Sequence, residues 1–305
     1  MRFLYKSIRD TTFQIQDKMR IGCWVDVPNA GIRELKTLSK AFAIELDDLK
    51  DSLDVYEMMR VERYHNHVFL FVRYPVDSRR TGYTGIFTMV LTKEVIITIS
   101  PFTAPIFQDI YENNAPLTTT QKSKFVLQTL LRIVQSYTKW VKRVQSDVFK
   151  SRVDADSISS EDILALTKSE EILHHYQAAL VPFRNTLGHL SSGKFIDLYE
   201  EDRDLLNDLL LAIQQCEEIC SVNLKSIRGL RDCYQTIFTN NVNKTMKLLT
   251  AFTIIFMIPT LISSMYGMNV ELPFASRPHA FLEILSMSFV FSFCGFLLFY
   301  WRRWL

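Results

Sequence analysis

Two long apolar runs near the C-terminal end limit most strongly what this chain can fold into. LLTAFTIIFMIPTLISSMY covers residues 248–266, and FLEILSMSFVFSFCGFLLFYW covers 281–301. A helix rises about 1.5 Å per residue, so about 20 apolar residues cross the hydrocarbon core of a bilayer. Both runs have that length. Between Leu248 and Trp301 the only charges are Glu271, Arg277 and Glu283. The average conceals this, because 22% of the residues are charged and nearly all of those precede residue 248. Core helices of a soluble domain are not composed this way. Two membrane spans are therefore expected, 247–266 and 281–301, joined by an outside loop over 267–280.

The flanks orient the spans. Lys244 and Lys247 precede the first, and Arg302 and Arg303 follow the second in a short basic tail, 302–305. Basic flanks stay on the cytoplasmic side, which predicts a multi-pass plasma-membrane protein with both termini in the cytoplasm. Tyr300, Trp301 and Trp304 are suited to the membrane interface. The N-terminal MRFLYKSIRDTTFQ lacks the pattern of a signal peptide. A net charge of +2 gives no reason to expect nucleic acid as a partner. Five cysteines in no disulfide spacing, with Cys216 and Cys220 one helical turn apart, read as packing residues. Two spans cannot enclose a pore alone, so transport requires several copies around an axis.

The first span carries a pattern. Asn243, Met246, Leu249 or Thr250, Thr253, Met257, Thr260 and Ser264 recur at three- and four-residue spacing and fall on one helical stripe. Small and hydroxylated stripes mediate helix packing in membranes. The same stripe facing an axis lines a narrow pore with hydroxyls and apolar constrictions. Composition leaves both readings open. The stripe has no charge, which suits an ion that keeps its water, as Mg²⁺ does. Pro259 removes an intrahelical bond and should bend the span. At its end Gly267 offers an exit from the helix, and Asn269 offers a neutral oxygen.

NKTMKLLT (243–250), the Pro259-Thr260 pair, YGMN (266–269) and WRRWL (301–305) together resemble the CorA family of divalent-cation channels. The resemblance is strong over 235–305 and weaker before it. It implies a funnel-shaped homopentamer embedded in the bilayer that passes Mg²⁺, and also Co²⁺, without an organic cofactor. It implies a selectivity filter of Gly267, Met268 and Asn269, with Asn269 meeting the hydrated ion. Asn243, Met246, Leu249, Met257 and Thr260 become pore-lining, with Met246 and Leu249 as the apolar gate. Intracellular Mg²⁺ then closes the channel by binding between neighbouring cytoplasmic domains. Matching DSLDVYEMMRVERYHNHVFLFV (51–72) to the family's acidic turn points to Asp51, facing Asp208 on the long helix, with Asp47 and Asp48 as alternatives. Lys50 stands where a second acid is often found, and the loop ELPFASRPH (271–279) has only Glu271 as an acid. Zinc-handling relatives share Gly-Met-Asn, and His279 keeps open the alternative of a Zn²⁺ transporter, with proton coupling as its distinguishing feature. A non-conducting membrane-tethered sensor or scaffold is the alternative of another class.

The remainder reads as an α/β cytoplasmic domain over 1–117, followed by long helices over 118–246 that include a stalk helix from about 202. RFLYKS, TTFQIQD, GCWVDV, EMMRVERYH, HVFLFVRYP, IFTMVLT and VIITIS are strand candidates, and 79–85 is a turn. From about 202 to Pro259 only Gly229 interrupts helical composition, so the stalk is expected to run unbroken into the membrane. GHLSSGKF (188–195) fits a phosphate-loop spacing but joins two helices, and Phe195 follows its lysine where Ser or Thr is needed. His174 and His175 are adjacent and diverge on a helix. No nucleophile and base stand together, and no enzyme is expected.

Overall fold

The computed structural model describes residues 1–76, 83–112, 117–150, 158–270, 273 and 278–302. Glu271, Arg277, Arg303, Trp304 and residues 79–82 of the expected turn lie outside the described residues. The chain forms two compact units. One comprises Met1–Arg152 and Ala165–Gly229, the other Val153–Leu164 and Leu230–Leu305.

The first unit is built on a seven-stranded sheet in the order β2-β1-β3-β7-β6-β5-β4. The strands are β1 (Arg2–Tyr5), β2 (Gln14–Gln16), β3 (Trp24–Val27), β4 (Arg60–Tyr64), β5 (His67–Pro75), β6 (Thr84–Leu91) and β7 (Ile96–Ile99). All neighbours are antiparallel except β3 and β7, which run parallel with Trp24 opposite Ile96. The strands β3, β5, β6 and β7 are apolar on both faces because both faces are covered. On one face Val25, Val27, Phe69, Phe71, Val90, Ile97 and Ile99 pack with Leu35 and Leu38 of α1 (Ile32–Phe42) and Leu49 of α2 (Leu46–Lys50). On the other, Trp24 meets Phe107 of α3 (Pro105–Glu112) and Phe125 of α4 (Lys122–Lys150), with ring centroids 5.4 and 5.2 Å apart. Its indole N–H donates to Thr98 Oγ1 at 2.8 Å, and that hydroxyl donates to Asp26 Oδ1 at 2.8 Å. Burial pushes the Asp26 carboxyl above its ordinary range, while the Thr98 bond opposes the shift.

Three helices complete this unit: α4, α5 (Ser160–Ser191) from Ala165 onward, and the first part of α6 (Glu200–Tyr266). Their buried faces follow helical spacing, with Leu173, Tyr176, Leu180, Phe183 and Leu187 on α5 and Leu206, Leu209, Ile213, Cys216 and Cys220 on α6. Both cysteines are free and buried, and burial pushes the Cys220 thiol up to about 12. They are inert packing residues, as their one-turn spacing suggests.

The second unit contains the end of α6 and the whole of α7 (Ala280–Trp301). Both helices are long and apolar enough to cross a membrane, and only 6% of each apolar window is buried. The stalk expected from about residue 202 belongs to a single 67-residue helix, α6, that continues past Pro259 to Tyr266.

Candidate ion pathway and cation site

Within the second unit the first span has two distinct faces. Toward α7 it presents Ala251, which is fully buried, and then Ile255, Ile258, Pro259, Ile262 and Tyr266, which are partly covered. Midway along the pair the partners on α7 are small, between the partly covered Ile284 and Phe299. A Cβ added to Gly295 would sit 3.4 Å from Ile258 Cδ1, and Ser292 Oγ donates to the Ile255 carbonyl at 3.5 Å. That carbonyl is the one Pro259 deprives of its intrahelical donor. Ser288, buried on the same face of α7, is one turn before Ser292. Close approach through small residues is how helices pack where lipid removes the hydrophobic driving force.

The other face carries the sequence-predicted stripe. Asn243, Met246, Leu249, Thr253, Met257, Thr260 and Ser264 are all exposed. Thr253, Met257 and Thr260 are each two residues from Ala251, Ile255 or Ile258, a rotation of about 200° at 100° per residue. The stripe thus points away from α7, and the small residues that join the two spans are Ala251 on the other face of α6 and Ser288, Ser292 and Gly295 on α7. The threonine hydroxyls are turned inward: Thr250 Oγ1 donates to Met246 O at 2.8 Å, Thr253 to Leu249 O at 2.8 Å and Thr260 to Phe256 O at 3.0 Å. Their hydrogens are occupied, so the oxygens remain outward as acceptors.

The span ends at Tyr266. Gly267 N–H donates to Ser263 O at 3.0 Å, Met268 N–H donates to Met265 O at 3.3 Å, and the Tyr266 hydroxyl donates to the Pro273 carbonyl at 3.1 Å. Gly267 is not among the glycines with positive φ, and a Cβ there would lie 3.4 Å from Ser263 O, an ordinary contact. The backbone exit read into Gly267 therefore does not demand a glycine. Asn269 is exposed beyond the helix end together with Met268.

The candidate sensor carboxylates are on the first unit. Asp51 opens the 3-10 turn Asp51–Leu53, and its Oδ2 accepts from Arg60 Nη2 at 2.8 Å. Arg60 also contacts Glu57, reaches Glu62 Oε1 at 3.1 Å, and lies over the Phe71 ring at 4.2 Å. Of the two alternatives, Asp47 is paired with Lys50 at 2.6 Å, and Asp48 has its carboxyl pushed up by burial and by Glu45. Asp208 is exposed on α6 without an ion-pair partner among the described residues. The structure brings Asp51 to Arg60. It does not bring Asp51 into a three-ligand cluster with Asp208, and among the described residues no such cluster forms.

Arg60 was not singled out from sequence. Its one signal is the spacing Glu57-x-x-Arg60-x-Glu62, which becomes a cluster only once β4 is placed. The decoys resolve simply. The His174 ring lies 2.6 Å from Arg228 Nη2, whereas His175 faces Tyr83. GHLSSGKF closes α5 with Gly193 at φ +71, and Arg63 holds the Lys194 and Phe195 carbonyls.

Comparison with known proteins places the chain in a family. A cobalt/magnesium transport protein CorA of Methanocaldococcus jannaschii is 24% identical over 283 residues, covering 88% of this chain and 86% of its own. A magnesium transport protein CorA of Helicobacter pylori is 24% identical over 257 residues, covering 81% and 79%. The solved CorA magnesium transporter of Methanocaldococcus jannaschii superposes with a TM-score of 0.75 at 21% identity, covering 100% of this chain and 98% of its own, which establishes the shared fold. The model of the family described as CorA-like Mg²⁺ transporter protein matches residues 21–303. With nearly the whole chain matched, from the sheet through both apolar helices, the chain belongs to the CorA-like Mg²⁺ transporter protein family.

Proposed function

We propose that the protein is a homopentameric channel through which Mg²⁺, and also Co²⁺, enters the cell passively. The observation that carries this is the uncharged stripe of α6. It is exposed along its length, turned about 200° from the second span, and continued by the exposed Asn269. Several copies around an axis give that face a water-filled interior. Thr253, Thr260 and Ser264 then offer oxygens to the hydrogens of a hydrated cation, and Met246, Leu249 and Met257 form apolar constrictions. A ring of Asn269 amide oxygens at the outer mouth accepts from the same hydration shell, and Gly267 and Met268 shape the ring. The ion need not shed its water, which Mg²⁺ does reluctantly.

The membrane potential supplies the drive, about 4.6 kcal/mol for a divalent ion at 100 mV at roughly 2.3 per charge. In this arrangement 1–117 and 118–246 are cytoplasmic, 267–280 is outside, and 302–305 returns to the cytoplasm. Intracellular Mg²⁺ closes the channel by bridging Asp51 of one copy and Asp208 of the next. Both carboxylates fit that role, being hard oxygen donors at least partly open to solvent.

The test is uptake of Mg²⁺ and Zn²⁺ into proteoliposomes under an imposed potential, for wild type and Asn269→Ala. Mg²⁺ entry should follow the potential and fall to about a tenth or less in the variant, because the ring meets every ion. Zn²⁺ uptake driven by a proton gradient would replace this reading with the zinc-transporting one. No flux of either ion would leave a tethered sensor.

A further inference from the structure

We propose that Arg60 is the resident counter-cation of Asp51 and sets the Mg²⁺ concentration at which Asp51 can take a divalent ion. This rests on the reading of Asp51 as a cation-sensing residue and concerns what controls it. The guanidinium is held by more than Asp51. It contacts Glu57, reaches Glu62 Oε1 at 3.1 Å and lies 4.2 Å over Phe71. Phe71 is fully buried, so that platform is fixed. The Asp51 side chain is the most exposed of the three carboxylates, 46% against 16% for Glu57 and 38% for Glu62. It is also the only one outside the strand and its immediate approach, on the 3-10 turn.

The geometry is that of an exchange. When Mg²⁺ arrives, Asp51 can leave Arg60 while Arg60 keeps its two glutamates and its ring contact. Only one bond, at 2.8 Å from Arg60 Nη2 to Asp51 Oδ2, must open. Nothing else in the strand moves, and no buried charge is left alone, which would be the costly outcome. Until then Asp51 is held against a cation, shared with Glu57 and Glu62, that cannot deprotonate. The divalent ion must therefore displace a cation instead of meeting a free carboxylate, so sensing begins at higher Mg²⁺ than an unpaired aspartate would give. Arg60 is a positioning residue here, since it acts through Asp51 and touches no transported ion.

The experiment is limited proteolysis of the full-length protein in nanodiscs across a Mg²⁺ titration, read as the half-protecting concentration. Arg60→Gln keeps hydrogen-bonding capacity and removes the charge. It should lower the half-protecting concentration roughly two- to fivefold, the range an exposed ion pair's coupling implies. In an Asp51→Asn background the same Arg60 substitution should have no effect. A general electrostatic influence would persist there. Arg60→Lys retains charge without the planar fork and should shift the midpoint in the same direction by less; it carries the test if Arg60→Gln does not fold, as judged by melting without Mg²⁺. An unchanged or raised midpoint in the Arg60 variants, or an equal shift in the Asp51→Asn background, overturns the proposal. If Asp51→Asn alone leaves the midpoint where it was, the sensing role of Asp51 is lost first and Arg60's role falls with it.

Discussion

The two units treat apolar residues in opposite ways. In the first, Trp24, Phe69, Phe71, Phe87, Phe125, Tyr137, Tyr176 and Phe183 are all essentially inaccessible, closed in by the chain's own sheet and helices. In the second, Ala251 and Ser288 are the only buried residues of the two spans among those described. Both units are rich in Phe, Ile and Leu. The first gains stability by removing those side chains from water. The second has no such gain in lipid and joins its helices by shape, through Gly295, Ser292 and a carbonyl freed by proline. An apolar residue is therefore a core residue in one unit and a solvent-facing one in the other.

The sharpest test of this contrast pairs two aromatic truncations. Trp24→Ala removes a ring touched by Phe13, Phe107 and Phe125 and should cost about 3–5 kcal/mol in urea unfolding of the first unit. Phe256→Ala, at a side chain 69% exposed, should change stability in detergent by less than about 0.5 kcal/mol. A large loss at Phe256 would break the comparison.

Two glycines give the next largest difference. Gly295→Leu adds a branched chain beyond a Cβ that would already touch Ile258 Cδ1 at 3.4 Å, and this overpacking should destabilise the helix pair by about 1–3 kcal/mol. Gly267→Ala meets only ordinary contacts and should leave the melting temperature nearly unchanged. Any transport lost in the alanine variant then comes from the mouth itself and not from unfolding.

The smallest effect is one of pH, on the first unit only. Burial raises the Asp26 carboxyl, so the folded state binds its proton more tightly than the unfolded state does. Stability from this group is fully present below the ordinary carboxylate range and is lost as pH rises through the raised folded value. Asp26→Asn keeps an acceptor for Thr98 and should be more stable than wild type at neutral pH. That advantage should fade as pH falls into the ordinary carboxylate range, as read from urea midpoints across a pH series.

Much of this was legible in the sequence, for reasons that differ by element. The spans announce themselves by length and lack of charge, and α6 by the absence of proline before Pro259. The strands were visible as apolar runs, but not the parallel pairing of β3 with β7, because partners 72 residues apart leave no local signal. The stripe of α6 was visible at helical spacing, but not its orientation. That depended on Ser288, Ser292 and Gly295 of α7, three small residues scattered among phenylalanines. Asp51 could be picked out as an acid. Its bond to Arg60 could not, because a neighbour nine positions away meets it only when a turn and a strand fold together.

The inward-turned threonines have one more consequence. A hydroxyl that has already given its hydrogen to a backbone carbonyl can only receive. Each water around a cation turns both hydrogens outward and finds partners on such a wall, while each water around an anion has spent one hydrogen on the ion, and its outward oxygen finds no donor in Thr253 or Thr260. Around a shared axis, those threonines would favour hydrated cations over hydrated anions without placing a single formal charge in the membrane.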